Sequence, residues 1–114
     1  MVVQKNLEKV RKLYEAAETT GDINAVRNFG QIYFESSGVQ PDYVKAFQFF
    51  QRAAKFGDAA AQFDLAIAYF QGKGTERNDG EAIQSLLKSA DQGYSKAAKL
   101  IADMKRVHKE HVRE

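Results

Sequence analysis

The residues of this chain that could do chemistry are few and poorly grouped. Its 114 residues include no cysteine and two histidines, which removes thiol nucleophiles, thiolate metal sites and disulfides. His108 and His111 stand three positions apart, on one face of a helix, with Glu110 and Glu114 beside them. That set could clamp a metal, but a closed site needs more converging ligands than one helix supplies. The expectation is therefore no metal and a solvated tail, KRVHKEHVRE. Lys73 sits between two glycines in GKGTERND, residues 72–79, as in a phosphate cradle. The run lacks the GxxxxGK spacing followed by Ser or Thr, and it follows a helical pattern rather than a strand. No serine has a base and an orienting carboxylate in view, and the carboxylates are scattered over the surface. The chain is expected to be no enzyme, with no catalytic residues and no cofactor.

Charge excludes further classes. A net charge of +2 is too small a bias to imply nucleic acid or an anionic membrane. Lys105, Arg106, Lys109 and Arg113 are interleaved with Glu110 and Glu114, the pattern of an ordinary charged helix. No apolar stretch approaches a membrane span, and MVVQKNLEKV is too short in apolar residues for a signal peptide. A soluble, cytoplasmic protein is expected.

What the chain does carry is repetition. Asn24 to Gly57 lies over Ala60 to Gly93 at a shift of 36 residues. Ala25, Phe29, Tyr33, Gly38, Ala46, Ala54 and Gly57 then meet Ala61, Leu65, Tyr69, Gly74, Ala82, Ala90 and Gly93. A unit this short cannot bury its own apolar face, so it must stack on neighbours as a helical solenoid. Residues 6–20 repeat the second half of the unit: Val10, Leu13, Tyr14 and Ala17 fall on Ala46, Phe49, Phe50 and Ala53.

Six helices are expected. The first covers 6–20 and stops at Gly21. Asp22 caps the second, which runs to about Glu35, and the third covers 42–56 before Gly57. Asp58 caps Ala59 to Gln71, Asn78 with Glu81 forms a capping box for a helix to Gln92, and Ser95 caps the last, which runs towards Val112. Gly57 and Gly93 suit left-handed helix ends. Ala25, Ala46, Ala54, Ala61, Ala82 and Ala97 are small where helices must approach closely, and a larger residue at Ala61 or Ala82 overpacks the core by about 1 to 3 kcal/mol.

These patterns resemble Sel-one-like repeats, relatives of tetratricopeptide repeats with a longer inner loop. DYVKAFQFFQRAAKFG, residues 42–57, is similar to the DxxKAxxWYxKAAxxG half of that motif, and AQFDLAIAYFQGKG, residues 61–74, to the AQxxLGxxYxxGxGV half. Phe49 and Phe50 stand where the family prefers Trp and Tyr, Ala66 replaces a Gly that Gly30 keeps, and Ser36 replaces the loop Gly kept as Gly72. The resemblance covers about residues 6–108. It implies an all-α, right-handed α-α superhelix of about two and a half repeats in one domain, 1–114. Residues 6–21 would be a half-repeat, 22–57 and 58–93 repeats, and 94–114 a half-repeat with a C-terminal cap, since Lys105 and His108 are polar where another helix would pack. A cysteine-rich subgroup of such repeats is linked with β-lactam binding and hydrolysis, but its disulfide pattern is absent here, so that activity does not carry over.

The resemblance also implies that the first helix of each repeat lines the concave surface. On the first such helix Ala25, Phe29, Ile32 and Tyr33 form the packed side. Asn24, Arg27, Gln31 and Phe34 fall opposite, and their equivalents are Ala60, Phe63, Ile67 and Phe70, then Lys96, Lys99, Asp103 and Arg106. Among these, Arg27, Lys96, Lys99 and Arg106 oppose only Asp103, so positive charge is concentrated on this face. The groove is expected to take a protein or peptide with apolar anchors and acidic flanks. The resemblance makes Phe63, Ile67 and Phe70 the groove's apolar centre, and the alternative for Phe63 and Phe70 is burial between helices. Two functions fit: an adaptor or scaffold, or a small stand-alone inhibitor or immunity-type protein that blocks one enzyme. The chain is expected to be a monomer or weak homodimer, with Leu100, Met104 and Val107 available for self-association.

Overall fold

The computed structural model describes Lys12, residues 21–35 and residues 42–112, with backbone alone for 109–112. Apart from Lys12, which is helical, the helix expected over 6–20 lies outside the described residues. The described residues form five helices and no strand: α1 (Ile23–Glu35), α2 (Tyr43–Lys55), α3 (Ala59–Gln71), α4 (Asp79–Asp91) and α5 (Ser95–Val112). Each packs on the next in sequence, giving an elongated stack of 55 × 28 × 21 Å. α1, α3 and α5 are the inner helices of successive units, and α2 and α4 the outer ones.

Side-chain caps start four of the helices, three of them where the sequence places them, while Asp42, expected inside its helix, is instead the cap of α2. Asp22 Oδ1 accepts from the Ala25 N–H at 3.2 Å, Asp42 from Lys45 at 3.0 Å, Asp58 from Ala61 at 2.9 Å and Asn78 from Glu81 at 3.0 Å. Each satisfies one of the donors a helix start leaves open. Two further details differ from expectation. Ser95 is the first helical residue rather than the cap, and the Tyr94 carbonyl accepts the first helical bonds, from Ala97 and Ala98. The Asn78 N–H donates to the Tyr69 carbonyl at 3.0 Å instead of being left for Glu81. Its counterpart in the first unit is the Asp42 N–H, which donates to the Tyr33 carbonyl, also at 3.0 Å. The same main-chain latch thus closes the inner loop of both units.

Gly57 and Gly93 take the left-handed conformation at φ 91° and 86°, turning each outer helix into the next inner one. Gly74, at φ 80°, is under a second constraint, because a Cβ there would overlap the Tyr43 carbonyl.

The core changes character along the stack. Between α1, α2 and the start of α3 it is aromatic: Phe29, Tyr33, Phe49 and Phe50 pack with Val26, Ala46, Ala53 and Ala61. Gly30 lets this happen, since a Cβ on it would meet the Phe50 ring at 2.6 Å. In the second unit the same position is Ala66, and its neighbours shrink to Leu86 and Ala97. Ala46, Ala61, Ala82 and Ala97 have no exposed surface, as close helix contact requires. On α1, Val26 and Gly30 join the buried side, whereas Ile32 is 38% exposed. Polar ties fill the smaller second core: buried Ser89 donates its Oγ–H to the Ala59 carbonyl at 2.7 Å, and Gln92 Nε2 donates to Gln62 Oε1 at 2.8 Å.

Candidate functional site

The inner helices present α1, α3 and α5 side by side, and the helical turn of about 100° per residue divides their surfaces. On α3, Ala61 and Ala66 face the core, so Ala60, Asp64, Ile67 and Gln71 fall on the open side. Phe63 and Phe70 lie between that stripe and the next inner helix. Both are half-buried against the second core, and the Phe63 ring stands 5.5 Å from that of Tyr94. Phe34 occupies the same position on α1, half-buried beside Tyr43 and Phe50 at 5.1 and 6.1 Å. Lys73 Nζ lies 5.2 Å from the Phe34 ring centre and 5.0 Å from that of Tyr43, so the loop lysine is seated on aromatic faces.

The polar members of the stripe pair across helices. Arg27 Nε on α1 faces Asp58 Oδ2 at 3.3 Å, and the same oxygen caps α3. Gln31 Nε2 donates to Asp64 Oδ2 at 2.8 Å. On α5, Arg106 stands 3.8 Å from Asp103, while Asn24, Lys96 and Lys99 are exposed. Ile67 is half-buried.

Asp64 was not among the residues the sequence singled out. Burial pushes its carboxyl up to about 6 from an ordinary 3.8; the Gln31 hydrogen bond and the Arg27 charge oppose this, Asp58 adds to it, and Lys96 opposes it more weakly. The available signal was an acid beside Phe63 and one turn from Ile67. Apolar surface is also exposed on α5, at the end of the stack. Met104 and Val107 on α5 are 37% and 49% exposed. With Leu100, Asp103 and His108 they line a shallow depression of about 510 Å³. The site residues thus sort into a paired polar half over α1 and α3 and a basic, partly apolar half on α5.

No group of three or more His, Cys, Asp or Glu is placed to hold a metal among the described residues. Nor is any described helix long and apolar enough to cross a membrane.

Two consecutive stretches, residues 24–58 and 59–94, match the family model of the Sel1 repeat. Among solved structures, a Sel1 repeat protein from Oxalobacter formigenes superposes with a TM-score of 0.74 at 30% identity, over 81% of this chain and 69% of that one. A protective antigen of uropathogenic Escherichia coli with an SLR fold gives 0.73 at 31% identity, over 80% of this chain and 20% of the antigen. Cysteine rich protein B of Helicobacter pylori, at 24% identity and a TM-score of 0.72 over 82% of this chain and 70% of its own, shares the fold. In sequence, 56 residues are 41% identical to DAP3-binding cell death enhancer 1 of Rattus norvegicus; they make up 49% of this chain and 11% of the rat protein. The chain therefore spans only a small part of the rat and E. coli relatives.

Proposed function

Because this chain belongs to the Sel1 repeat family, whose members are generally protein–protein interaction modules, we propose that it is a non-catalytic binding module, an adaptor or scaffold whose concave face takes a peptide or protein segment. On this reading residues 1–114 form one repeat domain, with units at 22–57 and 58–93 between a half-unit at 6–21 and a capping half-unit at 94–114. The observation that supports the concave face most directly is the α5 half. Exposed Val107 lies within about 100° of arc of Lys96, Lys99 and Arg106 on the helix surface. A partner with apolar anchors and acidic flanks meets both demands there: the anchors leave water, and the flanks steer encounter and register. Phe63 and Phe70, packed on the second core, shape the groove wall from below.

The test uses residues whose loss leaves the core intact. Purified wild-type chain and a Lys96→Glu plus Lys99→Glu variant are compared by affinity capture from the native host and mass spectrometry, with circular dichroism to confirm equal helicity. Partners recovered by the wild type and lost by the variant place the contact on this face. Partners retained at equal yield remove the concave assignment. A single dominant partner whose catalytic activity falls on binding would make the chain an inhibitor instead of an adaptor.

A further inference from the structure

The back of α3, opposite the concave stripe, is open as well. α2 and α4, the outer helices of successive units, stand apart, and a groove of about 770 Å³ runs between them with Gln62, Leu65 and Tyr69 of α3 as its floor. At about 100° per residue these three lie roughly half a turn from Ala60, Asp64 and Ile67, so a segment bound here would not touch one bound on the concave side.

The groove has two unlike ends. α2 and α4 run in the same direction, and each carries basic residues in its last turn, Lys55 on one wall and Lys88 on the other. Both are exposed, and neither is ion-paired among the described residues. Phe56 follows Lys55 at this end and is 69% exposed, the most exposed large apolar side chain described. Its counterpart in the second unit, Gln92, is tied to Gln62. At the other end α4 contributes Glu81, one turn before Ser85 on the same wall. From Gln48 to Phe56 the wall is about 12 Å long at 1.5 Å per residue, which matches about four residues of extended chain at about 3.3 Å each.

We propose that this outer groove is a second peptide site, taking an extended segment of about four residues with an acidic side chain at the Lys55 and Lys88 end, an apolar side chain on Phe56 and Leu65, and a hydrogen-bond donor or cation at the Glu81 end. The charge arrangement fixes the class of ligand. Lys55 and Lys88, with Arg52 beside Lys55 in the last turn of α2, reward a carboxylate, while Glu81 penalises a uniformly acidic strand, so the segment is dipolar and enters in one orientation. Occupied together with the concave face, the site lets one small chain hold two segments on opposite sides, which is the geometry of a bridge. The inference stands on its own geometry and does not require the concave assignment.

The test is a nitrogen-15 NMR titration of the full chain with acetylated, amidated tetrapeptides, Glu-Phe-Ala-Lys and its reverse Lys-Ala-Phe-Glu, against Lys-Phe-Ala-Lys as control. One of the two dipolar peptides is expected to give saturable shifts centred on Lys55, Phe56, Leu65, Ser85 and Lys88. Lys55→Glu plus Lys88→Glu is expected to weaken it at least tenfold, while Lys96→Glu plus Lys99→Glu leaves it unchanged. Shifts centred on Lys96, Lys99 and Leu100 would overturn the outer site while favouring the concave one. Absence of saturation with either dipolar peptide, or equal binding of the control, would overturn it outright.

Discussion

Asp64 shows how a single side chain can cost stability and still stand on the proposed binding face. Its folded-state pKa of about 6 lies above the ordinary 3.8, so between those values the folded protein holds a proton that the unfolded chain has released. Stability therefore declines as pH rises from about 4 through 6 and stays reduced above. Asp64→Asn, which keeps an acceptor for Gln31, is expected to raise stability at pH 7.5 by on the order of 2 kcal/mol and to leave it nearly unchanged at pH 4. Thermal melts of both proteins across that range check the sign. Gly74 supplies the opposite case. Any side chain there must take a left-handed backbone and displace the Tyr43 carbonyl, so Gly74→Ala is expected to cost about 2 kcal/mol or more. For a domain this small that is a fall of roughly 10 °C in Tm.

At the scale of elements, Asp58 couples helix initiation to the stacking of units. One oxygen caps α3 and faces Arg27 on α1, so Asp58→Ala loses a cap worth about 1 kcal/mol together with the ion pair to a half-buried guanidinium. Asp42→Ala, which removes an exposed cap alone, is expected to cost less. A double-mutant cycle with Arg27→Ala, read by denaturant unfolding, should return a coupling energy above about 0.5 kcal/mol. These elements also show what the sequence makes legible. Three helix starts were readable because Asp22, Asp58 and Asn78 announce them locally, three residues from the N–H each one binds, whereas Asp42 was read as helical and is a cap. Ser95 misled because a serine at a helix start need not be the cap, and here the Tyr94 carbonyl opens the helix. Periodicity placed Asn24, Arg27, Gln31 and Phe34 on one side of α1, but it measures an angle about a single axis. It cannot see that Arg27 meets Asp58, that Phe34 meets Tyr43, or that Gln31 selects Asp64. The outer groove was illegible for the same reason: it is a gap between two helices, and no residue type marks a gap.

For the whole molecule, the uneven core predicts uneven protection. Phe49, Phe50, Tyr33 and Val26 bury an aromatic cluster between α1, α2 and α3, whereas α5 contributes Ala97 alone as a buried side chain among those described. Stability in a stacked array is set by local units and their neighbours, so amide hydrogen exchange should be slowest in α2 and the first turns of α3 and fastest in α5. Uniform protection across all five helices would mean that the stack opens as one body. The gradient bears on binding, because a concave partner engaging Lys96, Lys99 and Val107 would touch the least protected helix. Ordering that helix would take part of the binding free energy.

The backbone latch from Asn78 to Tyr69 has a practical corollary. Its bond uses no side chain, and the chain it encloses reads FQGKGTER in one unit against FESSGVQP in the other. Within FQGKGTER, Lys73 and Gly74 are held by Tyr43, but Glu76 and Arg77 are exposed. Since lengthening a closed loop adds little entropy cost, an epitope tag or fluorophore-bearing insert between Thr75 and Glu76 gives a handle for immobilising the protein with both faces accessible.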